Sequence, residues 1–440
     1  MLNLNALPAQ FGAFLDRLPS ATRQTGYLVA IDSLTNLVDY GFHVYLGRAL
    51  LPAEFAVVQT INAVLLVVVT GFSVMEPVIA RQIVEVDVGQ GLNLARAGAP
   101  AHWPAIFQSA WRLNAVLGVF LFAVVWLNRQ AIAGWLQVPL EVISIAAFVL
   151  LFALPRPVIS GTLQGQRRFV AFGLTRSIYA LGRLAVAVLL VSVGAGLLGV
   201  VAAFPLGSAL AVLGGLGLLG AAAWKAGGPA PDRLLARTIR LSAAAFIAYT
   251  GYMSLLNSDL LWINRAFSPA LAGNYAAAVF LRRVLLLLPG AVIVVMYPRA
   301  VKQFTENRLP DRLLINSAAA IFALLSSLTA LYFLFGSAIV RLVFGPGYES
   351  AGPVLGWMGL GVIGYSLTAL WMNFYLATRP LPFVLLLGLS AVAQHLLLAS
   401  FHASPTQVVA IFVIGGWFLA LAGLLLYLGW FRRTVRAAST

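Results

Sequence analysis

Apolar residues run along this chain in stretches of about 20, long enough to cross a hydrocarbon core of about 30 Å as helices, and the breaks between them are rich in Pro, Gly, Arg and Lys. Twelve spans are predicted, with cores at 26–47, 55–77, 105–127, 141–164, 169–192, 197–223, 241–264, 271–297, 313–335, 351–377, 381–401 and 406–430. Ten-residue strands of alternating polarity, the mark of a membrane barrel, do not occur, so an all-α polytopic membrane protein is expected. Pro155, Pro157, Pro205 and Pro289 fall inside spans and predict kinks rather than ends, because neighbouring helices can re-satisfy a freed backbone group.

Composition sharpens this picture by exclusion. Of 440 residues, 61% are hydrophobic and 9% charged, with a mean hydropathy of +0.94. Ordinary soluble domains are about a quarter charged, so a water-soluble protein is ruled out. The formal charge of +15 is therefore read against a bilayer, and no nucleic-acid partner is expected. No cysteine occurs, which removes disulfides, thiolate chemistry and Cys-ligated metals. The four histidines are too scattered for a metal site, and no cofactor is expected. A phosphate-cradling GxxxxGK[ST] loop is missing, and no loop is long enough to fold as an extramembrane domain.

The charges alternate with the spans. Eighteen Lys and Arg fall on one side and four, Arg48, Arg129, Arg265 and Arg341, on the other. By the positive-inside rule, both termini are expected in the cytoplasm. The first 25 residues lack the compact apolar region of a cleaved signal, so the first span is expected to direct insertion.

A polar linker, KAGGPAPDRLLARTIR at Lys225–Arg240, separates six spans from six. It predicts an N-lobe over 1–224, a cytoplasmic linker over 225–240 and a C-lobe over 241–440. Each half opens with a span that holds an acid and leaves through Arg-x-x-x-Pro: Asp39, Arg48 and Pro52, then Asp259, Arg265 and Pro269. The runs AEFA (Ala53 to Ala56) and GNYA (Gly273 to Ala276) follow. Matching halves are the usual build of secondary transporters, whose substrate site lies near midplane.

Four motifs in this order and spacing, GRALLPAEFA (Gly47 to Ala56), GTLQGQRRF (Gly161 to Phe169), FGPGYESAGPVL (Phe344 to Leu355) and YLATRP (Tyr375 to Pro380), carry a family resemblance. The chain resembles the polysaccharide-transport family of the multidrug, oligosaccharidyl-lipid and polysaccharide exporter superfamily, the O-antigen or oligosaccharide flippases. That resemblance implies two six-helix lobes around a central cavity and movement of lipid-linked oligosaccharide to the outer leaflet of a bacterial inner membrane. Glycosyltransferases and a polysaccharide polymerase are the partners it implies, beside the membrane lipids and the lipid-linked glycan substrate.

Charge inside the bilayer costs about 3 kcal/mol per group at the helix centre, so each such residue is a candidate for function. Six arginines lie within spans: Arg112, Arg156, Arg176, Arg183, Arg282 and Arg283. Since guanidinium matches phosphate oxygens bidentately, Arg282, Arg283, Arg183 and Arg112 are the candidates for a cationic cavity that binds the diphosphate of the carrier lipid. The family's cavity-lining helices place Arg282 and Arg283 best, although adjacent residues diverge by 100° and one of the two can face elsewhere. Arg112, Arg156 and Arg176 also suit snorkelling or pairing inside a lobe. Asp39, Asp259, Asp32 and Glu76 are the candidates for ion coupling, with structural salt bridges as the alternative. His43, one turn after Asp39, suits a relay or an ordinary hydrogen bond. Asn36, Asn257 and Asn264 are the candidate polar lining for sugar hydroxyls, with helix-to-helix hydrogen bonds as the alternative. A cation-driven drug exporter would favour acids over arginines in its cavity, and a membrane glycan polymerase or ligase would need a long outer loop that is missing here.

Overall fold

The structure, a computed structural model, describes residues 20–91, 103–225, 234–306, 309–378 and 381–432. Half of the expected linker, 226–233, lies outside the described residues, and 234–240 belong to a helix. Sixteen α-helices follow in order among the described residues. They are α1 (Ser20–Ala49), α2 (Pro52–Ser73), α3 (Met75–Gly91), α4 (Trp103–Leu127), α5 (Arg129–Leu136), α6 (Leu140–Ala147), α7 (Val149–Ala153) and α8 (Arg156–Gly165), then α9 (Phe169–Ser192), α10 (Gly196–Leu219), α11 (Leu234–Ala266), α12 (Pro269–Thr305), α13 (Asp311–Phe344), α14 (Gly352–Ala377), α15 (Leu381–Ser400) and α16 (Pro405–Leu426). Ten helical stretches of the described residues are long and apolar enough to cross a membrane. The two remaining predicted spans are α1 and α11, of 30 and 33 residues, which hold the polar positions of their halves.

Local chemistry accounts for the breaks. Pro52 and Pro269 stand in the first turns of α2 and α12, where a missing N–H costs nothing. The Leu51 N–H donates to Glu54 Oε2 at 3.1 Å, and the Gln407 N–H donates to Ser404 Oγ at 3.3 Å, capping α2 and α16. The predicted fourth span is three short helices, interrupted at Phe148 and at Leu154–Pro155; at the second break the prolines end a helix where only a kink was expected, because Pro155 has no N–H to continue the ladder. Pro205 and Pro289 instead sit within unbroken α10 and α12. The eighth and ninth spans overshoot their predicted cores, because helix formation continues beyond the apolar stretch. Gly345, at φ 98°, stops α13 in a conformation that needs no Cβ.

Two compact units divide the chain. Unit 1 holds Met1–Phe42, Met75–Leu127 and Ser144–Thr238; unit 2 holds His43–Val74, Asn128–Ile143 and Ile239–Thr440. Segments 43–74 and 128–143 thus pack with the C-terminal half, so these units follow tertiary packing and cross the division into 1–224 and 241–440 made by the linker. In unit 1 the core gathers Ile79, Ile83, Phe107, Val158, Ile159, Leu163 and Phe172 from α3, α4, α8 and α9. Gly161 of α8 lies against the Glu76 backbone of α3, a separation that a Cβ would not permit. In unit 2, α14 is apolar all round and buried along most of its length, the pattern of a central helix.

Candidate functional site

Each unit contains an ionic cluster built from the acids and arginines singled out within the predicted spans. In unit 1, Asp32, Thr35 and Asp39 lie at i, i+3 and i+7 on α1 and meet Arg176, Ser177 and Arg183 of α9. Arg176 Nη1 donates to Asp32 Oδ1 at 3.0 Å, the Thr35 and Ser177 hydroxyls share a hydrogen bond at 2.7 Å, and Arg183 Nη2 donates to Asp39 Oδ1. The two ion pairs bridge the same sequence separation, 144 residues, and stand seven residues apart on both helices. This is a ladder between parallel helices, with rungs about 10 Å apart.

The rungs differ in exposure. The first is open, with Arg176 at 52% and Asp32 at 34%. In the second, Arg183 is buried to 3% while Asp39 keeps 43% of its side chain exposed. The Arg183 guanidinium lies 4.0 Å from the Phe42 ring centroid and 5.0 Å from that of Phe204, and donates to Tyr179 Oη at 3.3 Å. Arg156 of α8 stacks 4.4 Å over the Tyr179 ring, and Glu76 of α3 lies within electrostatic reach of Arg156 and Arg176. Two acids and two arginines gathered on facing helices, rather than one arginine on an apolar face, suit a wet surface.

The cluster of unit 2 is closed. Arg282 grips Asp259 with both terminal nitrogens, Nη1 to Oδ2 and Nη2 to Oδ1, the latter at 2.8 Å. Tyr275 Oη also donates to Asp259 Oδ2, at 2.7 Å. Neither member of the pair is more than 1% exposed, and Phe412 lies 4.1 Å from the guanidinium carbon. Around them Tyr365 donates to Gln394 Oε1 at 2.7 Å, and Gln394 Nε2 donates to Ser258 Oγ at 2.6 Å.

Arg283, one residue on, is half-buried and turns to amides: Nη2 donates to Asn257 Oδ1 at 2.8 Å and Nη1 to Gln59 Oε1 at 3.3 Å. Gln59 Nε2 lies 2.9 Å from His43 Nδ1, so α1, α2, α11 and α12 meet through one polar chain.

The structure therefore sorts the candidates. Arg183, Asp39 and Asp32 share one cluster, with Glu76 at its edge. Asn36 is exposed on α1. Arg282 and Asp259, expected respectively in a substrate cavity and at a coupling site, are interior partners of each other, because the 100° between adjacent residues turns Arg282 into its own unit. Asn264 is buried and donates to Leu136 O at 2.7 Å, a hydrogen bond between helices as in the alternative reading. Arg112 shares an exposed face with Val116, Val119 and Phe120, the setting of a snorkelling arginine. Gln59, Gln394, Tyr179 and Tyr275 were not singled out from the sequence; lone glutamines in apolar spans were the available signal.

The exit arginines of the two halves have like roles inside unit 2. Arg48 spans two successive carbonyls at the end of α13, Nε to Val343 O at 2.9 Å and Nη2 to Leu342 O at 2.7 Å. Arg265 Nη1 donates to Trp135 O at the end of α5, at 2.7 Å. Both place a cation at the negative end of a helix.

Residues 81–353, more than half of the chain, match the family described as polysaccharide biosynthesis protein. The chain belongs to the polysaccharide biosynthesis protein family. No curated protein is matched by this family member's sequence. Its fold is that of the multidrug, oligosaccharidyl-lipid and polysaccharide (MOP) exporter superfamily. An inward-facing multidrug resistance MATE-family transporter superposes with a TM-score of 0.74 at 12% identity, over 91% of this chain and 94% of that one. The lipid II flippase MurJ in an inward closed conformation gives 0.68 at 14%, over 91% and 87%. A MOP-superfamily transporter from Pyrococcus furiosus, described as having a binding pocket of reverse polarity, gives 0.58 at 14%, over 94% of each chain. These three solved proteins, which share the fold of this multi-pass membrane protein, are transporters and a flippase.

Proposed function

We propose that this polysaccharide biosynthesis protein is a flippase that carries a polyprenyl-diphosphate-linked oligosaccharide from the cytoplasmic to the outer leaflet of the bacterial inner membrane by alternating access, with both termini in the cytoplasm. The observation that carries this reading is the partly exposed ladder of α1 and α9. Arg176 gives one donor nitrogen to Asp32 and holds half its surface open, so an arriving diphosphate can take up its remaining donors with denser charge than a carboxylate offers. Arg183, enclosed by Phe42, Phe204 and Tyr179, holds Asp39 in register behind that rung. In the empty carrier the acids neutralise the arginines; in the loaded carrier phosphate replaces an acid at Arg176, and Thr35, Ser177 and Asn36 face the sugar hydroxyls. The carrier lipid's tail stays in the bilayer. A cytoplasmic glycosyltransferase supplies such a substrate, and a polymerase outside consumes it.

The test is a deletion strain. Loss of surface polysaccharide with lipid-linked repeat unit accumulating on the cytoplasmic face, reversed by the wild-type chain, supports the reading. Unchanged polysaccharide together with new sensitivity to cationic drugs overturns it in favour of an exporter.

A further inference from the structure

A second feature of unit 1 lies apart from the ladder, where α9 begins. A cavity of about 380 Å³ is lined by Arg167, Arg168, Phe169, Val170, Leu174 and Leu218, with Ala171 at its floor and no acid in its wall. Arg168 is pinned there, Nη2 donating to Leu218 O at 2.7 Å, which fixes one guanidinium at the rim. Arg167 is exposed, and among the described residues its side chain makes no hydrogen bond or ion pair. Two cations and an apolar wall thus share one concavity at the N-terminal end of α9.

The wall continues as a stripe. Val170, Leu174, Leu181 and Val188 recur at helical spacing and are each 40–52% exposed, the side of α9 that faces away from Arg176 and Arg183. From Val170 to Leu181 the stripe rises about 16 Å, and one leaflet contributes about 15 Å of hydrocarbon. A molecule with an anionic head at Arg167 and Arg168 and one chain along Val170, Leu174 and Leu181 would end at the bilayer midplane. We infer that this cavity is a binding site for the phosphate head of an anionic phospholipid, its acyl chain lying on the apolar stripe of α9. The occupant is a lipid of the surrounding leaflet: the site continues into the exposed apolar stripe of α9, and the cation pair is matched by a head of net negative charge, whereas a zwitterionic head brings its own cation beside its phosphodiester. This inference stands independently of what the protein transports.

Native mass spectrometry of the full chain, purified in mild detergent and offered equimolar phosphatidylglycerol and phosphatidylcholine, tests it. Preferential retention of phosphatidylglycerol is expected, falling about fivefold in Arg167→Gln and about 25-fold in Arg167→Gln/Arg168→Gln, from about a fivefold contribution per surface arginine. Because Arg168 also holds Leu218, the single Arg167→Gln variant decides the matter if the double variant fails to fold. Arg112→Gln, on another exposed face, should keep the wild-type preference. Equal retention of the two lipids, an unchanged Arg167→Gln, or an equal loss in Arg112→Gln overturns the proposal. Displacement of phosphatidylglycerol by equimolar inorganic phosphate would make this a free-anion site, and displacement by equimolar polyprenyl phosphate a carrier-lipid site; either result also overturns it.

Discussion

Asp39 and Arg183 form one ion pair with two environments: the arginine is sealed among aromatic rings and the acid is open to water. The consequences of breaking the pair from either side are therefore unequal. Asp39→Asn leaves a buried cation without its counter-charge, at a cost of about 3 kcal/mol. Arg183→Gln leaves a carboxylate that hydrates where it stands, and its cost is the lost packing, about 1–2 kcal/mol. Thermal unfolding of the two variants in one detergent should rank Asp39→Asn as the less stable; the reverse order would contradict the burial described.

Asp259 and Arg282 make the opposite case, because both are enclosed. Asp259→Leu or Arg282→Met alone strands one buried charge and should cost about 3–5 kcal/mol, whereas the double variant removes both charges and should recover most of that loss. Surface polysaccharide supported by the double variant should then follow the amount of protein in the membrane. If the double variant is well folded and yet inactive, Arg282 has a role beyond the interior of its unit.

At the ends of α13 and α5, Arg48 and Arg265 hold backbone carbonyls that have no partner within their own helices. Alanine at either position should lower stability by about 1 kcal/mol, as exposed charge-assisted hydrogen bonds do. Lysine should rescue Arg265, which uses one nitrogen here, better than Arg48, which forks across two carbonyls. Melting curves for the four variants check this, and equal rescue would contradict the forked geometry.

Gly161 lets α8 approach α3 at Glu76. A valine there must push the two helices apart and should cost about 1–3 kcal/mol, with loss of membrane-inserted protein as the readout. Gly134, beside which a Cβ would meet nothing within 4 Å, should accept alanine freely and serves as the control.

Much of this was legible in the sequence, for reasons that also mark its limits. Spans could be counted because a bilayer demands a minimum apolar length, and α1 and α11 stood out because their acids and amides interrupt that length. Pro155 and Pro157 pointed to an irregularity in the fourth span, but not to its severity: a helix ends there, whereas Pro205 and Pro289 leave theirs unbroken. Depth along a helix, however, says nothing about direction around it. Arg282 and Arg283 have the same depth, yet one enters the interior of unit 2 and the other reaches the amides of Asn257 and Gln59. Asp259 likewise looked equivalent to Asp39 by its place in the repeat, but tertiary packing enclosed Asp259 with Tyr275 and Arg282 and left Asp39, paired with Arg183, partly exposed. The ladder itself was written in the spacing: acids at 32 and 39, arginines at 176 and 183, seven apart in both helices. Only the knowledge that α1 and α9 are neighbours was missing.

Arg176 is the residue on which the proposed substrate binding rests. In a deletion strain complemented with Arg176→Gln, with membrane levels matched to wild type, lipid-linked repeat unit on the cytoplasmic face and polysaccharide on the surface would be measured together. Accumulation inside and at least a tenfold loss outside are expected, about 1.4 kcal/mol of substrate interaction or more. Normal surface polysaccharide from a fully expressed Arg176→Gln protein would contradict that role.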